Sequence, residues 1–183
     1  LPVGKHILLR ANINGKNVIR AYTPTSSDKD LGKVEFVIKV YPPLPPKFPL
    51  GGVFSQYMDS LKVGDSLEMK GALGEIVYNG KGSISIHGKE RTVKNITLLA
   101  AGTGITPGYQ IMKAIYEDPD DTTEVSLIYA NRTPDDILVR EDLDKFSTKK
   151  NINVWYTVDA AVSGWKVSTG HVNVDMIKKK CAK

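Results

Sequence analysis

The chain has 183 residues, 41% hydrophobic and 25% charged, with a formal net charge of +5 and a pI near 9.1. That length suits one large domain or two small ones, each with a real core. The composition is that of an ordinary globular protein without low-complexity tracts, and no apolar run is long enough to cross a bilayer. The start, LPVGKHILLR, lacks the basic segment and small-residue cleavage site of a signal peptide. A single cysteine, Cys181, precludes an internal disulfide and points to a reducing, cytoplasmic setting. The positive charge raises the question of a nucleic-acid partner. The lysines are dispersed, however, apart from Lys149-Lys150 and the tail KKKCAK, and they are not interleaved with stacking aromatics. A basic face docking an acidic protein partner fits the charge as well.

Up to about residue 92 the chain reads as β-rich. KHILLRANI, NVIRAYT, KVEFVIKVY, DSLEMKGAL and SISIHG are short strand-forming runs between Gly, Asn, Asp and Pro punctuation. In KVEFVIKVY, Val34, Phe36, Ile38 and Val40 share one face, and strands at this spacing predict an antiparallel barrel. One helix interrupts them, GGVFSQYMDSL, in which Phe54, Tyr57, Met58 and Leu61 recur at helical spacing. YPPLPPKFP reads as a stiff loop, with a polyproline ligand as the other reading.

After about residue 95 the pattern changes. NITLLAA is a continuous apolar run, as expected of a parallel strand buried on both faces. PGYQIMKAIYED predicts a helix, EVSLIYANR a strand, and TPDDILVREDLDKF a helix entered through Thr133 as N-cap, Pro134 at N1 and Asp136 at N3. INVWYTVD is the next strand and NVDMIKKK a short helix. This βαβαβα alternation predicts a parallel sheet with covering helices. The boundary falls near GKERTVKN, dividing the chain into residues 1–92 and 93–183.

Three stretches carry chemistry. In RAYT, Arg20 and Tyr22 share one face of a strand, and Ala21 and Thr23 the other. A cation beside an aromatic ring with a hydroxyl next to it suits a ligand with an anionic and a flat aromatic part, or an edge strand with a surface Arg and a packed Tyr. In AGTGITPG, Gly102 and Gly104 let the backbone turn tightly between a strand and a helix N-terminus that favours pyrophosphate, and Pro107 opens the helix in its first turn. In FPLGGVFSQYM, Gly51-Gly52 precede a helix whose first turn holds Ser55, a second candidate phosphate entry. His6, His87 and His171 show no metal-ligand spacing to one another or to Cys181, and there is no nucleophile elbow.

RAYT, VIKVY, GGVFS, KGALG, AGTGITP and YANRTPDDILVREDLD occur here in the order found in the FAD- and NADH-binding reductases of the ferredoxin reductase superfamily. The chain resembles the cytochrome b reductase branch, and within it the reductase module of eukaryotic nitrate reductases, which LPVGKH, RAYTP, IHGK and YANRT favour. The resemblance implies an antiparallel Greek-key FAD-binding barrel followed by a parallel-sheet NADH-binding domain. It implies that Arg20 pairs with the FAD pyrophosphate, Tyr22 lies along the flavin and ribityl, and Thr23 hydrogen-bonds near flavin N5, with Ala21 between them.

By the same resemblance, Val37, Ile38, Lys39, Val40 and Tyr41 supply backbone contacts and a ring to the FAD, beside Phe48. Gly52, Val53, Phe54 and Ser55 hold its phosphates. Gly102, Thr103, Gly104, Thr106 and Pro107 face NADH. Thr23, Lys39 and Thr103 take the catalytic positions, and Asp159, at the end of INVWYTVD, lies near the adenosine ribose.

The implied activity passes electrons from NADH through FAD to an acidic cytochrome b-type haem domain. In a parent nitrate reductase, a homodimer, they continue to a molybdenum centre outside this chain. A free-standing NADH–cytochrome b reductase is the alternative within the family, and a non-catalytic basic binding module the alternative outside it. Against the family pattern the chain begins one or two strands into the barrel and ends before a Cys-Gly-Pro-Pro segment. Ala101 stands where the family has Gly.

Overall fold

A computed structural model describes residues 1–181. Three ladders organise it. β1 (His6–Ile13) pairs antiparallel with β2 (Lys16–Tyr22) through the Asn14-Gly15 turn and, on its other side, with β3 (Glu68–Leu73), in the order β2-β1-β3. Asn14 and Gly15 both adopt positive φ, as a two-residue hairpin turn requires. α1 (Val53–Ser60) lays Phe54 against Ile7, Leu9 and Ala11 of this sheet, making a small core that Phe36 and Tyr57 border.

β4 (Ile76–Gly80), β5 (Ser83–Ile86) and β6 (Lys89–Thr92) form a second antiparallel sheet in chain order. Its buried residues, Tyr78 and Ile84, belong to the larger core of the C-terminal half. That half is a four-stranded parallel sheet of β7 (Asn95–Ala101), β8 (Glu124–Asn131), β9 (Ile152–Val158) and β10 (Ser168–Thr169), in the order β10-β9-β8-β7. α2 (Ile105–Glu117), α3 (Arg140–Phe146) and α4 (Val174–Lys180) pack against it. Gly108 lets α2 approach β7 closely, since a Cβ there would lie 3.3 Å from Leu98.

Three expectations change. The KVEFVIKVY segment joins no ladder: its ends are tied by Thr25 N–H donating to the Glu35 carbonyl (2.8 Å) and Gly52 N–H to the Tyr41 carbonyl (2.8 Å), and the stretch between runs extended without pairing. The barrel is therefore present as two three-stranded antiparallel sheets, not as a closed ladder among the described residues. NITLLAA is not buried on both faces. As the edge strand β7 it leaves Leu99 54% exposed, and the strand buried on both sides is β8, where Val125, Leu127, Ile128 and Tyr129 are at most 1% exposed. Burying each such side chain is worth about 1.5–3 kcal/mol.

The helix expected over TPDDILVREDLDKF is two pieces. A single 3₁₀ turn, Pro134–Asp136, carries the expected capping box of Thr133 and Asp136. The backbone then becomes extended at Ile137 and passes Val139 in the left-handed region (φ 50°) before α3 begins. The break leaves Ile137, Leu143 and Phe146 all in the core, a set that one straight helix would spread around its circumference.

Candidate active site

Strand β2 stops at Tyr22, and the face alternation stops with it. A cleft of about 660 Å³ wraps that strand end, so Arg20, Ala21, Tyr22 and Thr23 all line it. The Tyr22 ring packs on Phe54 (centroids 5.9 Å apart) and meets Phe36 edge-on at 6.4 Å. Burial raises the Tyr22 hydroxyl above its ordinary pKa, against an opposing effect of the Arg20 cation. Arg20 is exposed, and its Nη1 bonds no closer partner than the Ile19 carbonyl at 2.8 Å. Thr23 is buried.

The opposite wall is the unladdered segment, through Val37, Ile38, Lys39 and Tyr41, with Phe48 from the proline loop. Among the described residues, no hydrogen bond engages the backbone from Phe36 to Val40. Gly51, Gly52 and the first turn of α1 close one end. Ser55 pins this corner: its hydroxyl donates to the Gly52 carbonyl (2.8 Å) and accepts from Tyr41 N–H (3.1 Å). The approach leaves no room for side chains, because a Cβ on Gly51 or Gly52 would come within 2.5 Å of neighbouring atoms, and Gly51 sits at φ +62°.

The C-terminal half contributes the floor through Thr103, Gly104, Thr106 and Pro107. Gly102 turns at φ +49°, and nothing lies within 4 Å of a Cβ built on Gly102 or Gly104. The buried Tyr129 hydroxyl donates to the Gly102 carbonyl (2.8 Å) and fixes the turn to β8. α2 starts at Ile105 with Gly104 as N-cap, so Pro107 lies in the first turn, where its missing N–H costs nothing.

The sequence-predicted residues thus converge, including Val53, Phe54 and Ser55 and all three catalytic candidates, Thr23, Lys39 and Thr103. Three do not line the cleft: Val40, Gly102 and Asp159, the last lying just beyond β9 at the carboxyl edge of the parallel sheet. Gly51, half of the glycine pair read as a phosphate entry, lines the cleft with Gly52; His6, at the start of β1, is the lining residue the sequence reading missed, and it carried no signal.

The residues present fit a flavin dinucleotide. The cleft offers unengaged peptide groups along one wall for a planar heterocycle, aromatic rings at its sides, and a cation and glycine-lined turns for phosphates. Asn131, buried at the carboxyl end of β8, has neither side-chain amide atom within hydrogen-bonding geometry of a partner among the described residues, at the edge where a second dinucleotide would lie.

Comparison with known proteins agrees. A model of the oxidoreductase FAD-binding domain matches residues 1–78, and one of the oxidoreductase NAD-binding domain matches residues 98–183. The chain is 48% identical over 182 residues to the NADH nitrate reductase of Cucurbita maxima and 50% identical over 182 residues to NADH nitrate reductase 2 of Arabidopsis thaliana. In each case 98% of this chain is matched, and it spans 20% of the relative's length. Among solved structures it superposes on the cytochrome b5 reductase domain of Ulva prolifera nitrate reductase with a TM-score of 0.95 at 43% identity, covering 100% of this chain and 70% of that one. The CS-b5R domains of human Ncb5or match at a TM-score of 0.72 and 27% identity, over 98% of this chain and 49% of that one. The chain therefore belongs to the FAD- and NAD-binding oxidoreductases, in the cytochrome b5 reductase family of domains that nitrate reductases carry.

Proposed function

We propose that the chain is the flavin- and NADH-binding electron-transfer module of an assimilatory nitrate reductase. It would deliver electrons from NADH to an acidic cytochrome b-type haem domain of a cytoplasmic, homodimeric parent enzyme whose molybdenum centre reduces nitrate. The observation that carries this reading is one cleft, shared by the two halves, into which residues from each of the RAYT, VIKVY, GGVFS and GTGITP stretches open. FAD, when bound, supplies the chemistry, taking an electron pair from NADH and releasing electrons singly.

The protein's own groups bind, orient and shield. Arg20 is free to leave the Ile19 carbonyl for the FAD pyrophosphate, exchanging a neutral acceptor for an anionic one. Tyr22, held by Phe54 and Phe36, presents a fixed aromatic surface to the flavin and ribityl. Thr23 places a buried hydroxyl near flavin N5. The unengaged backbone from Val37 to Val40 would offer donors and acceptors to the ring edge, with the Tyr41 ring beside it. Gly52 and Ser55 bring the α1 N-terminus to the FAD phosphates, and Gly104, Thr106 and Pro107 bring that of α2 to NADH. Thr103 and Lys39 line the cleft from its two halves and would flank the bound cofactors.

Flavin binding is the direct test. Protein purified with excess FAD should carry flavin absorbance at close to one equivalent per chain and be reduced by NADH. A colourless protein with no flavin after that treatment would favour the non-catalytic binding module.

A further inference from the structure

β8 is an inner strand of the parallel sheet, and Tyr129, near its carboxyl end, is 0% exposed. Its backbone pairs with Ala100 of β7, but its hydroxyl acts further along that chain, donating to the Gly102 carbonyl at 2.8 Å. The offset is two residues of strand, roughly 6–7 Å, a span that a serine or threonine in the same place does not cover. Burial raises the Tyr129 hydroxyl above its ordinary pKa, so it stays protonated, and a donor, across the neutral range.

The carbonyl it holds belongs to the least self-supporting part of the cleft floor. Gly102 sits at φ +49°, and Gly104 closes the same 3₁₀ turn. Nothing lies within 4 Å of a Cβ built on either, so packing does not brace the turn, and glycines have the widest backbone freedom to lose. A long bond from the Thr106 hydroxyl to the Thr103 carbonyl (3.4 Å) comes from α2 itself. Among the described residues, Tyr129 is the one side chain outside the turn and α2 that bonds the turn. Thr103 and Gly104, which follow Gly102 directly, line the cleft; Tyr129 does not reach it.

We propose that Tyr129 is a positioning residue for the nicotinamide dinucleotide. Its hydroxyl fixes the Gly102 carbonyl from beneath and so sets the backbone of Thr103 and Gly104 in the geometry that receives the ligand. The proposal rests on the reading of the cleft as a flavin and NADH site. A turn already ordered adds no ordering cost when the ligand arrives, whereas a turn released from Tyr129 must be ordered at that moment.

Tyr156 on β9 supplies the contrast. Its ring packs on that of Tyr129 with centroids 6.4 Å apart, and it is 7% exposed. Its hydroxyl, however, donates to Asp144 of α3 (2.7 Å), not to the turn.

The test compares Tyr129→Phe with Tyr156→Phe in FAD-loaded protein, each variant losing one hydroxyl from a buried tyrosine. Flavin content near one equivalent per chain shows that both are folded. Without nucleotide, amide hydrogen exchange in peptides covering residues 101–107 should quicken about threefold to tenfold in Tyr129→Phe, the scale of one intramolecular hydrogen bond. In Tyr156→Phe it should stay at the wild-type rate. Titration with NAD+, followed by calorimetry and by the change in flavin absorbance, should show affinity weakened by a similar factor in Tyr129→Phe alone. Either readout at its wild-type value in Tyr129→Phe overturns the proposal. An equal loss in Tyr156→Phe also overturns it, because the effect is then general destabilisation. Wild-type protein that holds flavin yet binds no NAD+ at millimolar concentration overturns the NADH reading of the cleft, and the proposal with it.

Discussion

The Lys39 ammonium pairs with the Asp136 carboxylate across the junction of the two halves. The other oxygen of that carboxylate accepts from Thr133 N–H (3.2 Å) and the Thr133 hydroxyl (3.0 Å). One side chain thus caps the turn after β8 and ties the cleft's unladdered wall to the parallel-sheet half. Lys113 makes a second such tie, with Asp30 at 3.3 Å and the Thr25 carbonyl at 3.3 Å.

Hydrogen bonding from Lys39, and less so from Thr133, holds the Asp136 carboxyl below its ordinary range. A lowered pKa in the folded state stabilises the fold above the ordinary carboxylate value, about 3.9. That stability is lost as pH falls through the lower, folded value. Asp136→Asn keeps an acceptor for Thr133 but drops the charge. With both partners about a quarter exposed, the substitution should cost about 0.5–1 kcal/mol near neutral pH. Urea unfolding at pH 7 and pH 3 checks this: the gap between wild type and variant should narrow at the lower pH.

Tyr78 should matter more. Its hydroxyl donates to Asp121 (2.6 Å), lies 2.9 Å from the Thr123 hydroxyl, and accepts from Gly82 N–H (3.2 Å), all in buried surroundings. Burial opposes the charge on Asp121, but bonds from Thr123, Tyr78 and two backbone N–H groups outweigh it and hold the carboxyl below its usual range. Tyr78→Phe removes one partner from each contact and should destabilise by about 1–3 kcal/mol. Burial and the Asp121 bond raise the Tyr78 hydroxyl to about 12. Its contribution is therefore complete below the ordinary tyrosine value near 10 and fades as pH rises toward 12. Thermal unfolding of both proteins from pH 8 to pH 11 should show the difference shrinking at the alkaline end.

Arg20→Ala should weaken FAD binding about tenfold to a hundredfold, the worth of a charge-assisted hydrogen bond of roughly 1.5–3 kcal/mol. Because Arg20 is exposed and, among the described residues, bonds only the Ile19 carbonyl, folding of the apoprotein should be unaffected. Fluorimetric titration of apoprotein with FAD measures the loss, and unchanged affinity removes Arg20 from the site.

A net charge of +5 suits docking to an acidic haem domain. The bimolecular rate of electron transfer to a separately produced haem domain should fall several-fold between 10 mM and 200 mM salt, as the Debye length shortens from about 30 Å to below 8 Å. Stopped-flow measurement across that range is the check, and a flat profile argues against electrostatic steering.

The elements were largely legible where the signal is local. The apolar runs of β8 and β9, the Thr133–Asp136 capping box and the Asn173 cap that accepts from Met176 N–H all follow from residue order. What failed depended on neighbours. NITLLAA and EVSLIYAN have similar composition, yet only the second lies inside the sheet, and strand order is not written in either run. KERT, which forms β6, carries no apolar periodicity, because its four side chains are exposed. The cleft residues were found through motifs, since turn glycines, a proline and a strand-end Arg-x-Tyr mark backbone geometry directly. His6 comes to the cleft only through the pairing of β1 with its neighbours, which no local pattern records.

The stretch from Val34 to Tyr41 has one more consequence, for solubility. It is rich in β-branched and aromatic residues, Val34 is 49% exposed and Tyr41 40% exposed, and its central peptide groups bond nothing among the described residues. Such an edge is a template for pairing with another molecule. A flavin bound as proposed would occupy those groups and cover the adjoining side chains. Flavin supply during expression should then govern aggregation as well as activity, with flavin-starved protein expected in the insoluble fraction on fractionation of lysates.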